Sequence, residues 1–184
     1  VVRYIDGATI KGLRVIGEIR VYAINYTGTR AAGLVGYAKG NSLITNNRIS
    51  ATIVGRSYDD YVSGEHAGLV GAVGANASLT IKDCLFDGEL LKQGNKNINH
   101  NAGFIGKVSD NATQVTIENC LFNPKNVTLS SDYSSTFARG PATITNSYYT
   151  STAFGTDQGI DGRDIYVYTL VELLGYAWED DYDI

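Results

Sequence analysis

The sequence predicts an all-β fold: a parallel β-helix (β-solenoid) of about four to five rungs with a short C-terminal helical cap. Three observations carry that prediction. The pentapeptides Ala32-Gly33-Leu34-Val35-Gly36, Ala67-Gly68-Leu69-Val70-Gly71 and Ala102-Gly103-Phe104-Ile105-Gly106 recur with glycines advancing by 35 residues each time. A second block follows each of them, as Ile44-Thr45-Asn46-Asn47-Arg48-Ile49, Ile81-Lys82-Asp83-Cys84-Leu85-Phe86 and Ile117-Glu118-Asn119-Cys120-Leu121-Phe122. The intervening runs are short, rich in Leu, Val, Ile, Phe and Thr, and broken by Gly, Asn and Asp, which favours strands. No helical stretch intervenes to serve as a βαβ crossover, so stacked rungs are the remaining way to pair parallel strands.

Each unit reads as strand, turn, strand, turn, strand, then a variable loop at 56–65 or 92–101. In the second unit Leu79, Ile81 and Leu85 alternate with Thr80, Lys82 and Asp83, the period of a strand with one buried face. Asp87-Gly88-Glu89-Leu90-Leu91 and Ala51-Thr52-Ile53-Val54 supply the third strand. Degenerate copies bracket the set, with Ile10-Lys11-Gly12-Leu13-Arg14-Val15 at the start and Thr136-Phe137-Ala138-Arg139-Gly140 leading to Ile144-Thr145-Asn146-Ser147-Tyr148-Tyr149 at the end. The expected rungs lie near 1–30, 31–65, 66–101, 102–135 and 136–152. A solenoid domain over 1–152 would then precede a cap and acidic tail over 153–184.

In-register stacking brings equivalent residues within about 4.8 Å of one another. Asn46, Asp83, Asn119 and Asn146 form a column at the turn after the Ile strand, where Asn and Asp accept the left-handed conformation. Three neutral amides make that column a poor calcium site. Cys84 and Cys120 share a register position, which leaves two readings open: buried thiols or a disulfide between neighbouring rungs. No CxxC pair suggests zinc. Arg30, Glu65 and His100 stand 35 residues apart and should stack as a charge ladder, with Glu65 and His100 as a weaker acid/base alternative. His66 lies one position out of that register, level with Asn101. Gly33, Gly68 and Gly103 either turn the chain tightly or allow a close crossing, and Gly36, Gly71 and Gly106 mark close backbone approach. No glycine-rich phosphate loop opens a helix, so no nucleotide cofactor is implied.

Beyond Gly155 the repeat is lost. Thr169-Leu170-Val171-Glu172 has capping-box spacing, and Leu170, Val171, Leu173 and Leu174 form an apolar patch closed by Gly175. This predicts a short helix, with Trp178 beside it, over the open end of the last rung. Glu179, Asp180, Asp181 and Asp183 form an acidic end that reads as a solvated linker.

The Ala-Gly-(Leu/Phe)-(Val/Ile)-Gly block followed by Ile-x-(Asn/Asp)-Cys-x-Phe resembles the GLUG repeat of bacterial surface proteins, over roughly residues 8 to 150. The first and last copies depart from it, with Val2-Arg3-Tyr4 in place of Val-Gly-Tyr and Phe137-Ala138-Arg139-Gly140 in place of Gly-Leu-Val-Gly. The resemblance implies a right-handed parallel β-helix, extracellular, on the surface of a bacterium or secreted, within large adhesin-like proteins. It carries no catalytic set.

Composition narrows the function classes. The 184 residues fit one domain, 18% are charged, and the net charge of −4 argues against counterion-release binding to nucleic acid. No apolar run is long enough for direct membrane insertion. The absence of Met suggests a piece of a longer surface protein, with neighbouring domains as partners. The expected function is a non-catalytic module, monomeric and without cofactor or metal, acting as adhesin, stalk or binding surface for a glycan or host surface protein. Tyr58, Asp59, Asp60, Tyr61 and Tyr133 in the variable loops are its candidate ligand residues, because aromatic rings stack on sugars while carboxylates bond their hydroxyls. The alternative is a polysaccharide-degrading lyase or glycosidase, which would need carboxylates converging on one strand face, and no column holds paired acids.

Overall fold

The computed structural model describes residues 1–22, 29–56, 64–93, 100–128, 134–151 and 154–175. The first turn contains β1 (Val2–Asp6), β2 (Thr9–Lys11), β3 (Arg14–Val15) and β4 (Glu18–Tyr22). The second contains β5 (Thr29–Ala32), β6 (Val35–Lys39), β7 (Asn41–Thr45), β8 (Arg48–Ile49) and β9 (Thr52–Arg56). The third contains β10 (Gly64–Ala67), β11 (Val70–Val73), β12 (Ser78–Lys82), β13 (Leu85–Phe86) and β14 (Glu89–Gln93). The fourth contains β15 (His100–Ala102), β16 (Ile105–Val108), β17 (Gln114–Glu118), β18 (Leu121–Phe122) and β19 (Asn126–Val127). Then come β20 (Ser134–Ser135), β21 (Thr143–Thr145), β22 (Tyr148–Tyr149), β23 (Ile160–Asp161) and a helix, α1 (Val167–Leu174).

These strands stack into five parallel sheets running along a β-solenoid. Each full turn thus carries five short strands rather than three, because every Ala-Gly-x-x-Gly block bends between two of them. Three turns are complete, slightly fewer than the four to five expected, since the outermost copies supply only part of a turn. Parallel pairing also runs past residue 152: Ser135 bridges Thr156, and β22 pairs with β23.

The repeat spacing converts directly into columns of like residues. Ile44, Ile81, Ile117 and Ile144 stand in register, as do Ile49, Phe86, Phe122 and Tyr149. The inward members of these columns form one continuous core, in which Phe86, Phe122 and Phe154 stack with ring centroids 5.7 and 5.6 Å apart. Full burial of each such ring contributes about 1.5–3 kcal/mol. A Cβ at Gly68 would lie 2.2 Å from the Gly103 carbonyl oxygen and 2.6 Å from Phe86 Cδ2, and Gly33 and Gly103 meet the same obstacle. None of the three has a positive φ, so close crossing, rather than a tight turn, requires glycine there.

The turn column behaves as its residue types dictate. Asn46, Asp83, Asn119 and Asn146 have φ of 54°, 51°, 55° and 43°, and Gly12 continues the column into the first turn at 67°. Asn119 Nδ2 donates to Asp83 Oδ1 at 2.6 Å, and Asn146 Nδ2 donates to Asn119 Oδ1 at 2.7 Å. One position on, Cys84 and Cys120 are buried free thiols. Burial, and Cys84 beside it, push the Cys120 thiol well above its usual range. Asn47 bonds the Leu13 amide and the Ile10 carbonyl, and Ser147 accepts from the Cys120 amide, so this column is polar at both ends.

The C-terminal helix departs from expectation in both position and capping. It lies on the flank of the solenoid instead of over its end: Leu170, Val171 and Leu174 are buried with Leu85 and Leu121 in a cluster separate from the core. Leu85 is therefore buried by the helix and not by the inward face of its strand. The helix begins at Val167, with Tyr166 as N-cap and no side-chain cap, so Thr169 sits inside it and the capping box does not form. Its C-terminal stop is as expected, with Gly175 left-handed at φ 61°. The end of the stack is met instead by 154–161, where Phe154 stacks on Phe122 and Gln158 imitates a strand edge. Gln158 Oε1 accepts the Phe137 and Ala138 amides at 3.0 and 2.8 Å while its Nε2 donates to the Ala138 carbonyl at 2.9 Å. Trp178 and the acidic residues 179–183 lie outside the described residues.

Candidate binding groove

Two sheets meet at an outward corner, and the second glycine of each block makes that corner tight. A Cβ at Gly71 would lie 3.0 Å from Arg30 Cβ, and one at Gly106 would lie 2.9 Å from the His66 amide nitrogen. Without side chains at these positions, the β5–β10–β15 wall closes down on the β6–β11–β16 wall. Arg3 occupies the same level in the first turn, between the paired Val2↔Val35 and Tyr4↔Tyr37. Arg139 occupies it beyond the fourth, next to the Ile105↔Ala138 bridge.

The predicted charge ladder forms one wall. Glu65 pairs in register with Arg30 on one side and with His100 on the other. The facing column is Tyr4, Tyr37, Ala72 and Lys107. Side chains bridge the corner: the Arg30 guanidinium carbon sits 4.6 Å from the Tyr37 ring centroid, and Tyr37 stacks on Tyr4 at 6.0 Å. Glu65 joins Arg30 Nε at 3.1 Å and Lys107 Nζ at 3.9 Å.

Burial governs the electrostatics. Glu65 is 6% exposed, and desolvation raises its carboxyl above the ordinary value against the opposing pull of Arg30 and Lys107. His100 is lowered to about 4, chiefly by burial, then by Arg139 and Lys107, so its ring is neutral at physiological pH. His66 is likewise lowered to about 4 by burial alone, and its ring packs against Gly55 on the inner side. As expected from the register, His66 pairs with Asn101 and shares no position with His100. At the far end, His100, Lys107, Ser109, Asp110, Asn111 and Arg139 line a cavity of about 510 Å³.

The ladder residues thus come together, whereas the loop candidates Tyr58, Asp59, Asp60, Tyr61 and Tyr133 lie outside the described residues. Sequence reasoning missed Tyr37, Lys107 and Arg139. Their signal was available in their equivalent positions: Tyr37 and Lys107 each follow the second glycine of a block, and Arg139 stands where the block glycine is replaced.

The fold and groove define a parallel β-solenoid repeat protein with a polar corner running along its axis. Comparison with known proteins returns no matching family model, no matching curated protein and no matching solved structure. Among the described residues, no helix is long and apolar enough to cross a membrane.

Proposed function

We propose that this chain is a non-catalytic repeat module of a bacterial surface or secreted protein, a rigid wall that presents a binding surface to a glycan or host protein. The observation that carries this reading is the engagement of Glu65. It is the single carboxylate in its column, and it is held by Arg30 and Lys107. Glycoside hydrolysis needs two carboxyls placed across a bond, one to donate a proton and one to attack or to activate water. Among the described residues, Asp110 on the turn after β16 lines the cavity with His100, while Glu65 stays bound to its two cations. The resemblance to GLUG repeats supports the extracellular setting, and the continuous core supports a stalk-like role.

The test is to present the whole chain to immobilised glycans and host matrix proteins while assaying polysaccharides for new reducing ends or unsaturated sugars. Saturable binding with intact polymer is the expected result. Release of cleaved polymer overturns the reading in favour of a lyase or glycosidase.

A further inference from the structure

We infer that the cavity bounded by His100, Lys107 and Arg139 is the acid-group subsite of the groove, taking the carboxylate of a uronic-acid residue in a linear glycan. The inference rests on the binding-module reading above and names the ligand class and the place. Lys107 and Arg139 supply two cations to one cavity, and guanidinium matches a carboxylate with two parallel donors. Among the described residues, Glu65 and Asp110 are the carboxylates facing the same region. His100 Nδ1 is buried with no hydrogen-bond partner among the described residues, which is costly unless a ligand or water meets it. Burial first, and then Arg139 and Lys107, lower the His100 basicity, which places both cations close enough to act on this ring.

A sugar fits better than an acidic peptide for a structural reason. Peptides add to sheets through unpaired strand edges. Here β16 is paired with β11 and bridged to Ala138, and β15 lies between β10 and β20, so among the described residues neither strand offers a free edge to the cavity. What the cavity offers is side chains and turn groups: Ser109 and Asn111 suit sugar hydroxyls, and Arg30 and Tyr37 stand two turns away in the same columns as His100 and Lys107.

The experiment is calorimetric titration of the whole chain with a short galacturonate oligomer. Parallel arms use a neutral galactose oligomer, inorganic sulfate and polyglutamate. The galacturonate oligomer is expected to bind. Lys107→Ala should weaken it at least tenfold, Lys107→Arg should restore most of it, and Lys125→Ala on another face should change nothing. Thermal melts of each variant establish that it is folded. Equal binding of the neutral oligomer, or unchanged affinity in Lys107→Ala, overturns the inference. So does sulfate matching the oligomer, which would mean an adventitious ion only, or polyglutamate binding more tightly, which would mean an acidic peptide. If other glycans or host proteins bind but galacturonate does not, this inference fails and the module reading stands. If nothing binds in either experiment, both fail.

Discussion

Leu121 of β18 and Leu170 of α1 are both fully buried, yet they belong to an apolar cluster outside the solenoid core. The helix is thus a lateral strap across the third to fifth turns, with Leu85, Leu121 and Tyr148 beneath it. Asn119 Nδ2 fastens its last turn by donating to the Leu174 carbonyl at 2.7 Å.

That strap has a measurable worth. Leu170→Ala removes a fully buried side chain, and such truncations cost about 2–5 kcal/mol, including the cavity left behind. Urea unfolding should show a midpoint lowered accordingly, with the β-sheet circular dichroism retained. An unchanged midpoint would mean that the helix does not rest on the flank.

Gly68→Ala probes the close crossing. The added Cβ would lie 2.2 Å from the Gly103 carbonyl oxygen, a backbone atom that cannot swing aside. Overpacking of this kind costs about 1–3 kcal/mol and sometimes more, since neighbouring turns must separate. Gly12→Ala offers a comparison, because nothing lies within 4 Å of its Cβ and only the strain of its φ of 67° applies. Thermal melts should rank Gly68→Ala as the more destabilised; the reverse order would contradict the packing described.

His66 makes stability depend on pH. Its basicity is lowered from 6.5 to about 4 in the folded state, so between those values the unfolded chain binds more protons. The contribution is intact above pH 6.5 and is lost as pH falls toward 4, by up to about 3 kcal/mol. His100 acts in the same direction from a half-exposed position. Glu65 acts in the opposite direction, because its raised carboxyl favours the folded state on acidification and that gain is lost as pH rises. Denaturant unfolding of His66→Gln across pH 4 to 7 should give a flatter profile than the parent chain. Parallel profiles would show that His66 is not buried as a neutral ring.

The stacking was legible because spacing alone determines it. Arg30, Glu65 and His100 are 35 residues apart and stand in register, and the turn column carries the positive φ that Asn and Asp tolerate. Two features were hidden for physical reasons. The Leu85-Phe86 and Leu121-Phe122 pairs look uniformly apolar, yet alternation sends Phe inward and Leu outward, so a covering element outside was required. The groove was hidden because it depends on how closely two sheets approach at the glycine corner, and no single residue pattern records that angle.

The central claim is that each 35-residue unit is one interchangeable turn whose neighbours supply its core. Inserting a second copy of residues 66–100 directly after His100 tests it most directly, since every inserted column would find its equivalent above and below. Stability in such arrays is approximately a sum of unit and interface contributions. Calorimetry should show a single cooperative transition at a melting temperature equal to or above that of the parent chain. A broad transition, or loss of the folded state, would contradict the stacked-turn account.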